Sequence, residues 1–342
     1  MDPETVERNL EMYCRQADPR WRGARVRELD CVSAGWESDV YTFVLETDGD
    51  AGPLREELVL RLYCGDAATH KAAHEFRAMR RLYDVGYCVP RVLLVETESA
   101  SFERPFMLME WIRGDVLWRS MFRVEPERRD ALLVAFVETL VRLHKLDAAL
   151  FDDLAIEGSP DRVTVQDTLD RARGILAPYA HLGFDAVLDW LDRRCATLMP
   201  VPLAPAHLDL HPANVLLRDD DSMIVIDWTQ FMVTDPRLDL AWTLLLVASQ
   251  EDSRWREPLL REYERQAGAP IRDLAFFEVC ACVKRLASVL ISLSIGPEAM
   301  GMRPEAVAAM RRQMGPMRYV YARLQEHTGL VLGGVETLLN SV

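Results

Sequence analysis

The chain has 342 residues, of which 49% are hydrophobic and 27% charged, and it carries a formal net charge of -14. The length exceeds the size at which one core keeps growing, so two lobes are expected, and the composition excludes a disordered chain. The acidity argues against nucleic acid, whose phosphate backbone demands clustered Lys and Arg; it fits neutral or cationic small molecules, although net charge also serves solubility.

Only three of the 40 basic side chains are lysines: Lys71, Lys145 and Lys284. Seven cysteines show no disulfide framework, which in a chain of this length points to a reducing compartment. Cys280-x-Cys282 falls in a helical run where residues two apart face different ways, so it reads as core packing and not as a metal site. The start, Met1-Asp-Pro-Glu-Thr-Val-Glu-Arg, lacks the basic-then-apolar pattern of a signal peptide. The apolar runs 239–249 and 286–295 are too short and too interrupted to cross a bilayer. A soluble cytoplasmic protein with no membrane partner is expected.

In chain order, residues 5–17 read as a helix, and 24–32, 40–46 and 57–63 as strands. Between the first two strands lies the turn-like segment Ser33-Ala-Gly35-Trp-Glu-Ser38-Asp39. The third strand places Arg61 in an apolar run, where an unpaired charge would be costly. The next helix, 70–85, offers Glu75 as its partner; the plainer alternative is a surface ion pair. Strands follow at 89–95 and 105–110.

Past Gly114 the spacing turns helical. Residues 127–146 carry an apolar stripe of Leu132, Leu133, Phe136, Val137, Leu140, Val141 and Leu143. His144, at the end of that stripe, reads as a helix-terminal residue and not a metal ligand. A surface loop containing Gly158-Ser-Pro160, helices at 164–177 and 184–198, and a proline-rich extended segment at 200–205 come next. Asp235-Pro236 opens a further helix, and others are expected at 254–266, 271–294 and 303–325. These late helices carry Glu251, Asp252, Glu257, Glu262, Glu264, Asp273 and Glu278, which either attract an amine or form solvated faces.

The most informative stretch runs over residues 207–241, HLDLHPANVLLRDDDSMIVIDWTQFMVTDPRLDLA. Leu216 and Leu217 on one side of Asp219-Asp220-Asp221, and Met223 to Ile226 on the other, predict two short strands joined by a turn. Such a hairpin brings Asn214 at its entrance close to Asp227 at its exit. A carboxylate and a carboxamide are hard oxygen ligands suited to Mg²⁺, which completes its shell with phosphate and water. Asp209, just upstream, is left to handle a substrate proton. A metal cluster of His207, Asp209 and His211 is the rival reading, but it leaves Asn214, Asp227 and the Asp-Pro-x-x-Asp run without a role.

These residues resemble a known family. His207-x-Asp209-Leu210-x-x-x-Asn214 has the spacing of the protein-kinase catalytic loop, with Asp227 where the magnesium-binding aspartate falls. His211, Pro212, Trp228 and the run Asp235-Pro-x-x-Asp239-Leu-Ala241 are more similar to the aminoglycoside phosphotransferase and choline kinase branch. The resemblance implies an α+β, protein-kinase-like bilobal fold. Its N-terminal nucleotide-binding lobe (residues 1–110) would be an antiparallel sheet with one main helix, and its C-terminal lobe (111–342) mostly α-helical and substrate-binding.

By the same resemblance, Asp209 orients the acceptor hydroxyl and takes its proton, Asn214 and Asp227 hold Mg²⁺, and the Arg61–Glu75 pair grips the donor phosphates in place of the usual lysine–glutamate pair. Gly35 or Ser38 reaches a phosphate, unless the segment is an ordinary hairpin turn. The Glu110 carbonyl and Ile112 amide pair with the adenine edge, beside Met109; Met107 and Met109 as plain core is the alternative. Asp239 braces the loop, and His211 supports it or borders the phosphate. The implied activity is O-phosphotransfer from ATP or GTP to a small-molecule hydroxyl, on an aminoglycoside, another antibiotic or an amino-metabolite. A non-catalytic nucleotide-binding module is the competing reading, favoured by Arg61 and a glycine-poor loop. Asp-Trp-Thr in place of Asp-Phe-Gly speaks against a protein kinase.

Overall fold

Five antiparallel strands organise the first part of the chain in a computed structural model that describes residues 2–34, 38–48, 53–98, 101–152, 154, 162–250, 253–295 and 314–341. They are β1 (Arg25–Ala34), β2 (Ser38–Thr47), β3 (Leu54–Tyr63), β4 (Val92–Glu96) and β5 (Phe106–Glu110), in the order β1-β2-β3-β5-β4. The chain divides into two compact units, one running to Arg113 and the other beginning at Gly114. The fold is α+β and protein-kinase-like, an antiparallel sheet followed by a helix-rich remainder.

Strand alternation explains the inside of the first unit. Leu58, Leu60 and Leu62 project to one face of β3 and join Val6, Leu10 and Cys14 of helix α1 (Pro3–Ala17) in one core cluster with Phe43 and Phe106. The helix begins where Asp2 accepts a hydrogen bond from the Thr5 amide at 2.9 Å. Arg61 and Tyr63 project to the opposite face, which helix α2 (Ala68–Asp84) covers with Ala72, Glu75, Met79 and Leu82 at helical spacing. The turn after β1 is shorter than its sequence suggests: Ser38 and Asp39 already belong to β2, opposite Tyr63 and Leu62. Gly35 lies outside the described residues.

The second unit opens on a close approach. A Cβ on Gly114 would stand 2.6 Å from the Leu217 carbonyl oxygen, so only glycine fits as the chain enters β6 (Asp115–Val116). β6 pairs with β8 (Val215–Leu217), which pairs with β9 (Met223–Val225); β7 (Ala204–Ala206) pairs with β10 (Met232–Thr234). Helices α3 (Leu117–Arg123), α4 (Pro126–His144), α5 (Val165–Leu176) and α6 (Asp185–Cys195) lie between β6 and β7. After them come α7 (Pro236–Gln250), α8 (Arg256–Ala267), α9 (Leu274–Ile295), α10 (Met314–Thr328) and α11 (Gly333–Ser341).

The expected helices at 164–177 and 184–198 are thus trimmed at their ends, and the expected last helix begins within the described residues at Met314. The Gly158-Ser-Pro160 segment, Glu251 and Asp252 lie outside them. α3, α11 and the pairings of β6, β7 and β10 have no counterpart in the periodicity of the sequence. All seven cysteines are free thiols; Cys282 is buried in α9, and Cys280 is partly exposed there. Among the described residues, no helix is long and apolar enough to cross a membrane.

Candidate active site

The β8–β9 hairpin sets the geometry of the second unit's polar centre. Val215 pairs with Val225, and the Ile226 amide donates to the Asn214 carbonyl at 3.0 Å, so Asn214 and the residue before Asp227 face each other where the hairpin closes. The acidic tip forms its turn, with Asp221 at φ +66° and the Arg218 amide donating to the Ser222 carbonyl. Asp227 leaves the hairpin at φ +68°, a left-handed backbone that an aspartate tolerates better than a β-branched residue. Trp228 behind it is fully buried, donating from Nε1 to the Val225 carbonyl and packing its ring 4.5 Å from that of His207.

Helix α7 supports the segment 207–210 almost residue by residue, through side chains that share one face at i, i+3 and i+4. It opens at Asp235, whose Oδ1 accepts from the Arg237 amide at 3.0 Å, with Pro236 as its first residue. Asp239 accepts from the His207 and Leu208 amides, each at 2.8 Å. Trp242 Nε1 donates to Asp209 Oδ1 at 2.7 Å, and Thr243 Oγ1 donates to the Leu210 carbonyl at 2.6 Å. Burial alone would push the fully enclosed Asp239 carboxyl up; hydrogen bonds from His144 Nε2 at 3.1 Å and from the His207 amide hold it below the usual carboxylate range. His144 therefore does more than end α4, and its Nδ1 meets the Tyr263 hydroxyl at 2.8 Å.

Asp209 is held at both oxygens. Besides the indole on Oδ1, Asn214 Nδ2 reaches Oδ2 at 3.3 Å and the Asp209 carbonyl at 2.9 Å, which turns the Asn214 amide oxygen the other way. His207 donates from Nε2 to the Ile226 carbonyl at 3.0 Å and accepts at Nδ1 from the Asp209 amide at 3.2 Å. Both ring nitrogens are thus spent on the loop, so His207, Asp209 and His211 are not a ligand cluster. Among the described residues, no three His, Cys, Asp or Glu side chains gather to hold a metal. Burial keeps the His211 imidazole below its ordinary value against the pull of Asp209, so near neutral pH it is uncharged.

A family model described as phosphotransferase enzyme family matches residues 29–274, most of the chain and all of this centre. The chain belongs to the phosphotransferase enzyme family. Its fold is shared with a Ralstonia eutropha structure provisionally assigned as an aminoglycoside phosphotransferase, at TM-score 0.65 and 16% identity, covering 96% of this chain and 98% of that one. A choline/ethanolamine kinase family protein from Mesorhizobium loti aligns at TM-score 0.59 and 18% identity over 97% and 99%. A thermostable aminoglycoside phosphotransferase mutant in ternary complex with AMP-PNP and hygromycin B aligns at TM-score 0.57 and 19% identity over 90% and 98%. Among curated proteins, mouse acyl-CoA dehydrogenase family member 10 is 27% identical over 52% of this chain, a match that spans 17% of the mouse protein.

In this phosphotransferase-family chain the first unit contains the Arg61–Glu75 pair as a buried contact, not a surface one. Arg61 Nη1 donates to Glu75 Oε1 at 2.9 Å, Tyr63 Oη donates to Oε2 at 2.7 Å, and the Glu75 side chain is 0% exposed. Ser38 is buried at the start of β2. Glu110 ends β5, its amide donating to the Arg91 carbonyl at 2.8 Å, and Ile112 is buried beyond it. Arg113 stacks 3.4 Å from the Trp111 ring centroid and grips both oxygens of Glu57, fixing this segment.

Several features escaped the sequence reading. Trp242 had a readable signal, since it follows Asp239 by three residues on the same helical face; Lys284 had only its rarity. The acidic side chains of the late helices are largely committed. Glu278 is buried between Arg256 (2.6 Å), Arg323 (2.9 Å) and His327 (2.8 Å). Asp273 accepts from Arg237, Glu262 from Arg265, and Glu264 from the Ile271 amide. Asp273 and Glu257 lie on exposed faces, whereas Glu278 is buried and claimed by its three partners.

Proposed function

We propose that this chain is an ATP- or GTP-dependent O-phosphotransferase that acts on a hydroxyl group of a small molecule, such as an aminoglycoside, another antibiotic or an amino-metabolite. The observation that carries the reading is the fixed Asp209 carboxylate, aimed by Trp242 and Asn214 and joined through Asn214 to the mouth of the hairpin. A carboxylate so placed accepts a hydrogen bond from the acceptor hydroxyl, orients its oxygen, and takes its proton as the new phosphoester bond forms. The hydroxyl oxygen then bonds to the γ-phosphorus, and the nucleoside diphosphate leaves with the electrons of the broken bond.

The donor set at the hairpin suits magnesium: one carboxylate, from Asp227, and one carboxamide oxygen, turned away from Asp209 because the amide nitrogen is committed to that residue. When bound there, Mg²⁺ would neutralise charge on the β- and γ-phosphates. Arg61, preset by Glu75 and Tyr63, would hold phosphate oxygens through its planar fork. The Glu110 carbonyl and Ile112 amide would serve the adenine edge, and Ser38, with Gly35, would border the phosphates.

Magnesium-dependent nucleotide hydrolysis tests the reading without knowledge of the acceptor, with water standing in for the hydroxyl. Asp209→Asn is expected to lower the rate by about 10²- to 10⁴-fold, the usual contribution of a positioned base. Equal rates for the two proteins would leave a nucleotide-binding module without phosphotransfer.

A further inference from the structure

Lys284 belongs to none of the roles described so far. It lies on α9, distant in sequence from the segment it touches. Its ammonium donates to the Leu208 carbonyl at 2.8 Å and to Gln230 Oε1 at 2.7 Å, and it sits 4.2 Å from the centroid of the Trp242 ring. One cation thus meets the residue before Asp209, a residue three beyond Asp227, and the indole whose N–H holds Asp209 Oδ1 at 2.7 Å.

The backbone of Leu208 shows why this matters. Its φ is +61°, a left-handed value that strains a leucine and persists only where the surroundings over-determine it. Here both of its backbone polar groups are captured, the amide by Asp239 Oδ1 at 2.8 Å and the carbonyl by Lys284. The turn delivers Asp209 to its place. An ammonium has three donors and no acceptor, and two of them are spent on joining the segment that presents Asp209 to the one that leaves Asp227.

We propose that Lys284 is a positioning residue for phosphoryl transfer: it pins the Leu208 turn and the Trp242 ring, and through them sets the aim of the Asp209 carboxylate. The inference rests on the phosphotransfer reading above. The charge of Lys284 is part of the device, since a neutral amine keeps fewer donors and loses its attraction to the indole face. Burial lowers the Lys284 ammonium to about 8; Asp209 and Asp239 favour its charged form, and Arg285, next to it on α9, opposes it.

The experiment uses the full chain with ATP and magnesium, comparing hydrolysis across pH for wild type, Lys284→Met, Lys284→Arg and Asp209→Asn, with a melting curve for each. Lys284→Met is expected to lower kcat by about 10- to 100-fold, the scale of a catalytic group displaced by an ångström, with nucleotide KM within about twofold of wild type. Lys284→Arg, which keeps its charge, should recover part of kcat and carry the alkaline limb of the profile to higher pH. Unchanged kcat in Lys284→Met would overturn the proposal; so would Lys284→Arg leaving the alkaline limb where wild type has it, a readout that also decides the matter if Lys284→Met does not fold. Either of those results beside a slow Asp209→Asn defeats the Lys284 inference alone. Asp209→Asn as fast as wild type defeats the phosphotransfer reading beneath it.

Discussion

Two cations, one in each unit, are held in opposite ways. Arg61 meets a carboxylate: Glu75 takes its Nη1 at 2.9 Å and is itself steadied by Tyr63. Lys284 meets neutral oxygens, the Leu208 carbonyl and the Gln230 amide, and the face of an indole. The first arrangement balances charge with charge, so its stability is the issue if either partner is removed. Among the described residues the second has no carboxylate in direct contact, and burial lowers that ammonium to about 8. A guanidinium bound to glutamate holds its charge through the neutral range; an ammonium bound to neutral groups becomes sensitive to pH just above it.

The contrast can be broken most sharply at the first cation. Glu75→Gln leaves Arg61 enclosed without its carboxylate, and removal of one partner from a buried pair costs about 3–5 kcal/mol. Chemical denaturation should show that loss, with the midpoint lowered more than for any exposed pair such as Arg55–Glu28. Removing an exposed partner, as in Glu28→Gln, is expected to change stability by less than about 1 kcal/mol.

A third buried site sharpens the rule that charge balances charge. Glu278 sits among Arg256, Arg323 and His327; burial alone would raise its carboxyl, but these partners bring it down to about 2 from 4.5. A carboxyl depressed in the folded state lends its stability fully above its unfolded value and loses it as the pH falls through the folded one. Wild type should therefore lose melting temperature between pH 4.5 and about 2. Glu278→Gln, less stable at pH 7, should lose less over the same range; parallel curves for the two would contradict this.

The smallest expected effect belongs to the second cation. Raising the pH from 7 to 9 should lower wild-type nucleotide turnover by several-fold as Lys284 gives up its proton, with folding retained. Arg61 should contribute nothing to that decline, so Arg61→Lys, whatever its absolute rate, is expected to keep the same limb. Steady-state kcat across pH, read beside circular dichroism, separates the two cations.

How much of this the chain disclosed in advance depended on distance along it. The hairpin was legible because two apolar runs bracket an acidic turn, with Asn214 next to the paired residue Val215 and Asp227 just past Ile226, which follows its partner Val225. The Arg61–Glu75 contact was legible because a lone cation in an apolar strand calls for a partner. Its burial was not, since only the packing of α2 on β3 encloses it. His144 meets Asp239 across 95 residues and Lys284 meets Leu208 across 76, and no periodicity carries such pairings. The two- and three-residue strands β6, β7 and β10 are too short to show alternation. The acidic late helices misled because charge composition does not reveal that Glu278, Glu262 and Asp273 already meet arginines.

Gly114 has a use beyond the close contact that requires it. Upstream, Trp111 and Arg113 bond to Glu57; downstream, the bare Cα lies against the Leu217 carbonyl. The bond between residues 113 and 114 is thus a natural seam for building chimeras. A crossover there lets each half travel with its own anchoring contacts, whereas a splice placed a few residues later would separate the glycine from the strand that tolerates nothing larger.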